Sequence, residues 1–254
     1  MTKKNKIGEH SSASANEVED WQKLRKHHMN LVANTDYNWN MHSLATLSRQ
    51  SLSRILYWNQ LYGKIIEVPG VIMEFGVHWG ASINILTALR GIYEPYNYSR
   101  KIIGFDTFSG FLGVDITQDG KIAEDGDYSV SDDYEKALND ILDLQEKNAP
   151  LNHLKKFELI KGDAALEVNR YLEKNSQSVV AMAIFDMDIY APTKKVLESI
   201  VPRLTRGSLI VFDELNCEKF PGETRAVDEV LGINNLKLRR DPNMPFCSWA
   251  VFGE

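Results

Sequence analysis

The amino-acid sequence predicts an α/β fold with one mostly parallel sheet of seven strands and helices on both faces. From residue 69 onward, short apolar runs alternate with amphipathic stretches in a strand, turn and helix order, which is the pattern of parallel βαβ units. The 254 residues, 43% hydrophobic and 25% charged, suffice for one globular domain with room for insertions.

The chain before this alternation divides into two predicted segments. Residues 1–17 are polar and are expected to be disordered. Residues 18–68 carry Leu and Ile at spacings of mostly three to five, which predicts an N-terminal helical cap or interface segment. Pro69-Gly70 ends this pattern, so residues 69–254 are expected to form the main domain.

The main domain contains five predicted parallel strands and two closing strands. The helix after the first strand is expected at about residues 81–92, with its apolar side chains on one face. Pro192 is expected to open the helix between the fourth and fifth strands, where its missing N–H costs nothing. The predicted strands are 71–75, 102–105, 157–160, 179–185, 208–212, 236–240 and 246–252.

Residues 111–154 interrupt the alternation. The stretch begins rich in Gly and Asp and then becomes helical. Long segments beside a site are often lids or binding loops. We therefore expect a lid-like insertion at about 111–154.

Charge and cysteine content exclude several classes of function. The formal net charge is −6 without a dense Lys/Arg stripe, so nucleic acid is not expected as a partner. No apolar run reaches the roughly 18 residues that suggest a membrane span. Cys217 and Cys247, without a C-x-x-C pair, fit a reducing cytoplasmic location.

Ligands of open α/β sheets bind beyond the C-terminal strand ends, so the residues that follow each strand are candidates. The first strand leads into a Gly-x-x-x-Gly turn, Gly76 to Gly80, which opens a helix. Glycine lets the backbone approach a ligand, and a helix N-terminus offers free N–H groups to a carboxylate. The preceding Glu74 and the absence of Gly-x-Gly-x-x-Gly spacing suit a cofactor without a pyrophosphate. A purely structural role of this turn is an equally good interpretation.

Acids follow the second and third strands as well. Asp106 can accept hydrogen bonds from both ribose hydroxyls of a nucleoside. Asp163 can receive an adenine amino group or cap the next helix, and both roles stay open. Together the three turns predict a nucleoside site. The candidate cofactor-binding residues are Glu74, Gly76, Val77, His78, Gly80, Ser82, Asp106, Thr107, Phe108, Gly162, Asp163 and Asp186.

Three segments resemble the macrocin O-methyltransferase family of sugar O-methyltransferases: 69–77 (PGVIMEFGV), 105–110 (FDTFSG) and 186–190 (DMDIY). The resemblance covers roughly residues 51–228. It implies an enzyme with a Rossmann-like class I methyltransferase fold, which would bind S-adenosylmethionine over residues 69–254. It also implies a divalent cation, usually Mg²⁺, a carbohydrate or small-molecule hydroxyl as acceptor, and a homo-oligomer.

Acids also end the fourth and fifth strands. Neighbouring strands bring such acids to one edge, where a hard cation that prefers oxygen ligands would join them. Asp186, Asp213 and Glu214 are therefore predicted to bind the metal, and the resemblance supports this choice. The alternative is that these acids are solvated side chains at strand ends and bind no metal. Asp188 is the candidate general base, although Asp186 and Asp188 can exchange roles because alternate residues of an extended segment share a face.

Two other enzyme classes compete with the methyltransferase. A metal-dependent glycosyltransferase can use an Asp-x-Asp motif such as Asp186 to Asp188, and a hydroxylase can share the fold. A glycosyltransferase does not need the turn at Gly76 together with Asp106, and a hydroxylase needs a redox metal with His ligands that these strand ends lack. Arg225 is a candidate for gripping an anionic acceptor, with a surface ion pair as the alternative.

Overall fold

The computed structural model describes residues 14–254, and a seven-stranded sheet is its central element. The strands are β1 (Val71–Phe75), β2 (Ile102–Asp106), β3 (Phe157–Lys161), β4 (Val180–Phe185), β5 (Leu204–Phe212), β6 (Arg239–Asp241) and β7 (Met244–Val251). Their order in the sheet is β3-β2-β1-β4-β5-β7-β6. The first five strands are parallel, and β7 runs antiparallel to β5 and β6. The prediction of a mostly parallel seven-stranded sheet is confirmed.

Helices connect the parallel strands and precede the sheet. They are α1 (Ala15–Asn34), α2 (Trp39–His42), α3 (Arg49–Ile65), α4 (Ala81–Tyr93), α5 (Ile116–Asp119), α6 (Tyr134–Lys147), α7 (Ala164–Lys174), α8 (Tyr190–Ile200) and α9 (Gly222–Leu231). Short α5 and longer α6 both lie within residues 111–154, which we call the insertion. Among the described helices, none is long and apolar enough to cross a membrane.

The helix α1 begins before the predicted position. Ser14 caps α1: its hydroxyl accepts from the amide of Glu17, and its own amide donates to the Glu17 carboxylate at 2.7 Å. This capping box satisfies backbone groups that a helix N-terminus leaves free. Helix α1 therefore begins within the segment expected to be disordered, residues 1–17, of which residues 1–13 lie outside the described part.

The described residues form two compact units, residues 14–55 and 56–254. In the first unit, none of the α1 side chains is buried, and His28 Nδ1 lies 2.7 Å from Thr46 Oγ1. In the second unit, the C-terminal half of α3 is buried in the hydrophobic core through Tyr57, Leu61 and Ile65.

Both faces of the sheet are covered, as its alternating side chains require. Ile72 packs with residues of α3, α4 and α6 on one face. Val71, Met73 and Phe75 pack with residues of α7, α8 and α9 on the other face. These two clusters form the core of the second unit.

Four neighbouring strands carry a row of phenylalanines at the same level, at or next to their C-terminal ends. Phe75 is in register with Phe105 and Phe185, and Phe185 with Phe212. Ring centroids along the row are 5.0 Å, 5.4 Å and 5.5 Å apart. The residues that directly follow these strands therefore emerge side by side at one edge of the sheet.

Candidate active site

A cleft that is open to solvent on one side lies beyond the C-terminal ends of the parallel strands. This is the place where ligands bind in open α/β sheets. It is lined by the loops after β1 to β4 and by the insertion. The lining residues are Gly76, His78, Phe105, Asp106, Thr107, Gly110, Phe111, Leu112, Tyr128, Gly162, Asp163, Ala164, Asp186, Met187, Asp188, Ile189 and Pro192.

Many of the residues proposed from the sequence as cofactor ligands lie in the lining, and some do not. The first group is Gly76, His78, Asp106, Thr107, Gly162, Asp163 and Asp186. The second group is Glu74, Val77, Gly80, Ser82 and Phe108, of which Glu74 and Ser82 are buried and Val77 and Phe108 belong to the core. A Cβ on Gly80 would overlap Leu138 of α6, so this glycine allows helix packing.

Asp106 joins the loops after β1 and β2. Its Oδ2 accepts from the amide of His78 at 2.7 Å, and its Oδ1 accepts from the amide of Phe108 at 2.5 Å. Both donors have positive φ, 50° and 55°, so the carboxylate holds two unusual backbone turns. An ionised carboxylate accepts about four hydrogen bonds, which leaves capacity for ribose hydroxyls in the cleft.

Gly76 allows the β1 loop to touch the β4 loop. Its φ is +96°, and a Cβ there would overlap the carbonyl oxygen of Asp186. The amide of Asp186 donates to the carbonyl of Phe75 at 2.8 Å, which extends the strand pairing up to the site. A side chain at position 76 would therefore push the two loops apart.

Asp163 caps α7. Its Oδ1 accepts from the amide of Ala165 at 2.9 Å, which is the structural alternative considered from the sequence. Asp163 also lines the cleft, so the cap and a contact with a bound nucleoside are compatible. The adenine contact stays a prediction.

Five acids gather at the ends of β4 and β5. Burial, together with Asp213 and Asp188 nearby, raises the pKa of Asp186 well above its ordinary value. Burial and then Glu214 and Asp213 raise the pKa of Asp188. Burial and Asp188 raise the pKa of Glu223, whose side chain is fully buried. The sequence thus places like charges where they repel one another.

The donor chemistry of this edge fits a hard cation, because carboxylate oxygens are the ligands that Mg²⁺ prefers. Within residues 14–254, Oε2 of buried Glu223 has no hydrogen-bond partner, which is consistent with missing positive charge. In that same range, no three His, Cys, Asp or Glu side chains stand close enough to hold one ion. Binding by Asp186, Asp213 and Glu214 therefore requires these side chains to rotate toward a common point.

Asp188 has an unusual backbone conformation. Its φ is +61°, and the amide of Ile189 donates to the carbonyl of Met187 at 2.6 Å across it. A non-glycine residue with positive φ is uncommon and often marks a functional turn. The Asp188 side chain is only 5% exposed and the residue lines the cleft.

Several residues of the site were not found from the sequence. Glu223, whose Oε1 accepts from the amide of Glu214 at 2.9 Å, lies in the first turn of α9, where an acid is ordinary. Tyr128 lines the cleft from the insertion, and its pKa is raised by burial and then by Asp188 and Glu214. The only signal for Tyr128 was its place in a segment expected to act as a lid.

Among the described residues, Arg225 has no carboxylate partner, so the alternative of a surface ion pair is not seen there. Its Nη1 donates to the backbone carbonyls of Thr117 and Gln118, at 2.9 Å in the second case. The guanidinium therefore binds the insertion.

The sheet order and the cleft beyond its parallel strands are those of the Rossmann-like fold of class I methyltransferases. The solved structure of the O-methyltransferase NovP has the same fold, with 17% identity, coverage of 78% of this chain and 79% of that chain, and a TM-score of 0.58. That similarity shows the fold only, since function resides in the site.

The chain belongs to the macrocin O-methyltransferase family: the model of the family described as Macrocin-O-methyltransferase (TylF) matches residues 35–237. The crystal structure of CalS11, a calicheamicin methyltransferase, is 39% identical over 96% of this chain and 95% of that chain, with a TM-score of 0.89. The apo structure of CalS11, described as a TDP-rhamnose 3'-O-methyltransferase, is 36% identical over 98% and 99%, with a TM-score of 0.83. No curated protein matches the chain.

Membership in this family makes the chain an O-methyltransferase and confirms the resemblance drawn from the three motifs. It also sets aside the glycosyltransferase and hydroxylase alternatives. The Asp-x-Asp pattern of Asp186 and Asp188 belongs to the acid edge of a methyltransferase sheet.

Proposed function

We propose that this enzyme transfers the methyl group of S-adenosylmethionine to a hydroxyl of a nucleotide-linked sugar such as TDP-rhamnose. The single observation that carries the proposal is the near full-length similarity to a TDP-rhamnose O-methyltransferase, 36% identical over 98% of this chain. The position of the cleft directly beside the acid edge supports it.

The cofactor would occupy the part of the cleft between the loops after β1, β2 and β3. Asp106 would receive the ribose hydroxyls, and Asp163 would contact the adenine amino group. The loop at Gly76 and His78 would face the methionine portion. The sulfonium would then lie near Asp186, because the backbones at Gly76 and Asp186 are in close contact. That contact would help to set where the methyl group meets the acceptor.

The acceptor hydroxyl would lie between the sulfonium and the acid edge. Asp186, Asp213 and Glu214 would hold Mg²⁺, which supplies a positive charge that lowers the pKa of a bound hydroxyl. Asp188 would take the proton. Asp188 lines the cleft beside Asp186, so it lies on the part of the acid edge that an acceptor in the cleft would meet.

Incubation of the purified protein with S-adenosylmethionine and TDP-rhamnose tests the proposal. We expect a product heavier by one methylene, with NMR placing the O-methyl group on the sugar ring. Parallel reactions with EDTA and with Mg²⁺ test the metal. Calorimetric binding of S-adenosylhomocysteine without transfer to TDP-rhamnose or other nucleotide-linked sugars would overturn the acceptor class while retaining the cofactor.

Location and assembly are proposals from the sequence alone. Two cysteines without a C-x-x-C pair favour a reducing cytoplasm. The family resemblance favours a homo-oligomer, and sedimentation velocity on the purified chain would measure its size.

A further inference from the structure

Asp119 ends the short helix α5 in the insertion and is buried despite its charge. Its side chain is 1% exposed. Oδ2 accepts from the amide of Asp115 at 2.9 Å, within the same turn. Oδ1 accepts from the amide of Tyr190 at 2.6 Å, 71 residues further along the chain. The carboxylate therefore links the insertion to the segment that follows β4.

This link supplies a helix cap that the local sequence lacks. Tyr190 is the first residue of α8, and Ile189 at the N-cap position has no side-chain oxygen to offer. The first amides of a helix need acceptors and carry partial positive charge, so a carboxylate is a favourable partner. Asp119 provides that carboxylate from a distant segment.

The capped segment is the turn that carries Asp188. Asp188, at φ +61°, is two residues before Tyr190. A Cβ on Gly222 would overlap Asp119 Oδ1 and would lie 2.6 Å from the Tyr190 amide and 3.1 Å from the Asp188 carbonyl oxygen. Close packing at Gly222 thus brings together the insertion, the Asp188 turn and the start of α9.

Two further contacts strengthen the connection. Arg225 of α9 donates to the carbonyls of Thr117 and Gln118 in α5. Phe111 of the insertion packs with Ile189 and Phe220 in a separate small hydrophobic cluster. Hydrogen bonds therefore join the insertion to α9, and apolar packing joins the insertion to the segment that follows β4.

We propose that Asp119 is a positioning residue that fixes the Asp188 turn. The position of the Asp188 carboxylate, which faces the acceptor, then depends on the packing of the insertion against this turn. The catalytic part of this inference rests on the proposed function, in which Asp188 receives the acceptor proton. Asp119 itself acts through the Tyr190 amide. Loss of this bond frees a turn whose positive φ is unfavourable, and small misplacements of a reacting group are costly.

Three variants test the inference. Asp119→Ala removes both hydrogen bonds, whereas Asp119→Asn keeps an oxygen for Tyr190 but turns an NH₂ group toward the Asp115 amide. Asp125→Ala is the matched control, because Asp125 Oδ1 accepts from the Val114 amide at 2.9 Å entirely within the insertion. The readouts are hydrogen exchange of the Tyr190 amide, kcat with TDP-rhamnose, and the Kd of S-adenosylhomocysteine.

For Asp119→Ala we expect about tenfold faster exchange at Tyr190, since one hydrogen bond to a charged acceptor is lost. We expect kcat to fall roughly 10- to 100-fold while the Kd of S-adenosylhomocysteine stays within about threefold. Asp119→Asn should lie between this variant and the wild type, and Asp125→Ala should match the wild type. If Asp119→Ala does not fold, Asp119→Asn decides by the same readouts.

Unchanged exchange at Tyr190 in both Asp119 variants would overturn the inference. So would a loss of kcat matched by an equal loss of S-adenosylhomocysteine binding, which indicates general damage. A wild type inactive on TDP-rhamnose would count against the proposed acceptor, whereas the exchange at Tyr190 would still decide whether Asp119 fixes the turn.

Discussion

The carboxylate of Asp106 accepts a hydrogen bond from the backbone amide of His78, with 2.7 Å between Oδ2 and the nitrogen. This bond ties the end of β2 to the turn after β1. It fixes the wall of the cleft before a cofactor binds, so ordering this turn does not reduce the binding free energy.

Replacement of Asp106 should therefore weaken cofactor binding in two ways. It removes the hydrogen bond that orders the turn at His78, and it removes the acceptor for the ribose hydroxyls. Hydrogen bonds to charged groups contribute about 1.5 to 3 kcal/mol, so Asp106→Ala should weaken S-adenosylhomocysteine binding by at least about 100-fold. Isothermal titration calorimetry measures this change. Exposed Asp132, replaced by alanine, is the control and should bind as the wild type does. Similar Kd values for both variants would show that Asp106 is not a cofactor ligand.

Gly76→Ala should cost more stability than the strained backbone alone explains. Gly113 also has a positive φ, +74°, but a Cβ there would meet nothing within 4 Å, whereas on Gly76 it would overlap the Asp186 carbonyl. We expect Gly113→Ala to lose about 1 kcal/mol and Gly76→Ala at least about 2 kcal/mol more. Urea denaturation provides both values. Equal losses would mean that the Gly76 contact relaxes easily.

Mg²⁺ should stabilise the protein through the acid edge. A ligand at a hundred times its Kd adds about 2.7 kcal/mol, which corresponds to a Tm increase of roughly 5 to 10 °C for a chain of this size. Thermal unfolding with Mg²⁺ and with NaCl of equal ionic strength measures the specific part. Asp213→Asn, which removes one charge, should lose most of the Mg²⁺ effect. A wild type that responds equally to both salts would contradict the predicted metal site.

Glu94 should make the protein sensitive to acid. Burial raises the pKa of Glu94, but hydrogen bonds from Arg100 at 2.9 Å, Tyr62 at 2.6 Å and Asn97 outweigh it, so the net pKa is lowered. A carboxyl group with a lowered pKa in the folded state stabilises the protein above the pKa of the unfolded chain. That stabilisation is lost as the pH falls through the folded pKa.

Glu94→Gln tests this contribution. At pH 7 the variant should be less stable than the wild type by about 1.5 to 3 kcal/mol, and the gap should shrink below roughly pH 4.3. Urea denaturation across pH provides the comparison, in which the other acids cancel. A gap that stays constant or widens toward low pH would refute the assignment.

The parts of the structure that depend on local sequence were predictable. The alternation of apolar runs and amphipathic stretches predicts the sequence of strands and helices along the chain, because apolar runs indicate strands and amphipathic stretches indicate helices. β5 begins at Leu204 instead of the predicted residue 208, since Arg206 and Gly207 interrupt its apolar pattern. The capping box of Ser14 and Glu17 can be recognised in the sequence. It falls within residues 1–17, however, which were predicted to be disordered because they are polar.

The parts that depend on distant contacts were not predictable. Glu223 acquires its role by being buried against the Glu214 amide, and Asp119 by reaching Tyr190. Nothing in the residues beside Asp119 indicates a partner so far along the chain. The acids at the strand ends were accessible from sequence because the sheet order alone brings them together.

The row of Phe105, Phe75, Phe185 and Phe212 has a consequence for the charges above it. All four rings are fully buried, so the carboxylates that follow them have packed apolar protein instead of solvent on that side. The row is a dielectric boundary that lies one residue beneath Asp106, Asp186 and Asp213. Charge placed in the cleft is consequently screened from the open side only, and each interaction with a bound cation or sulfonium is stronger than the same pair would have in water.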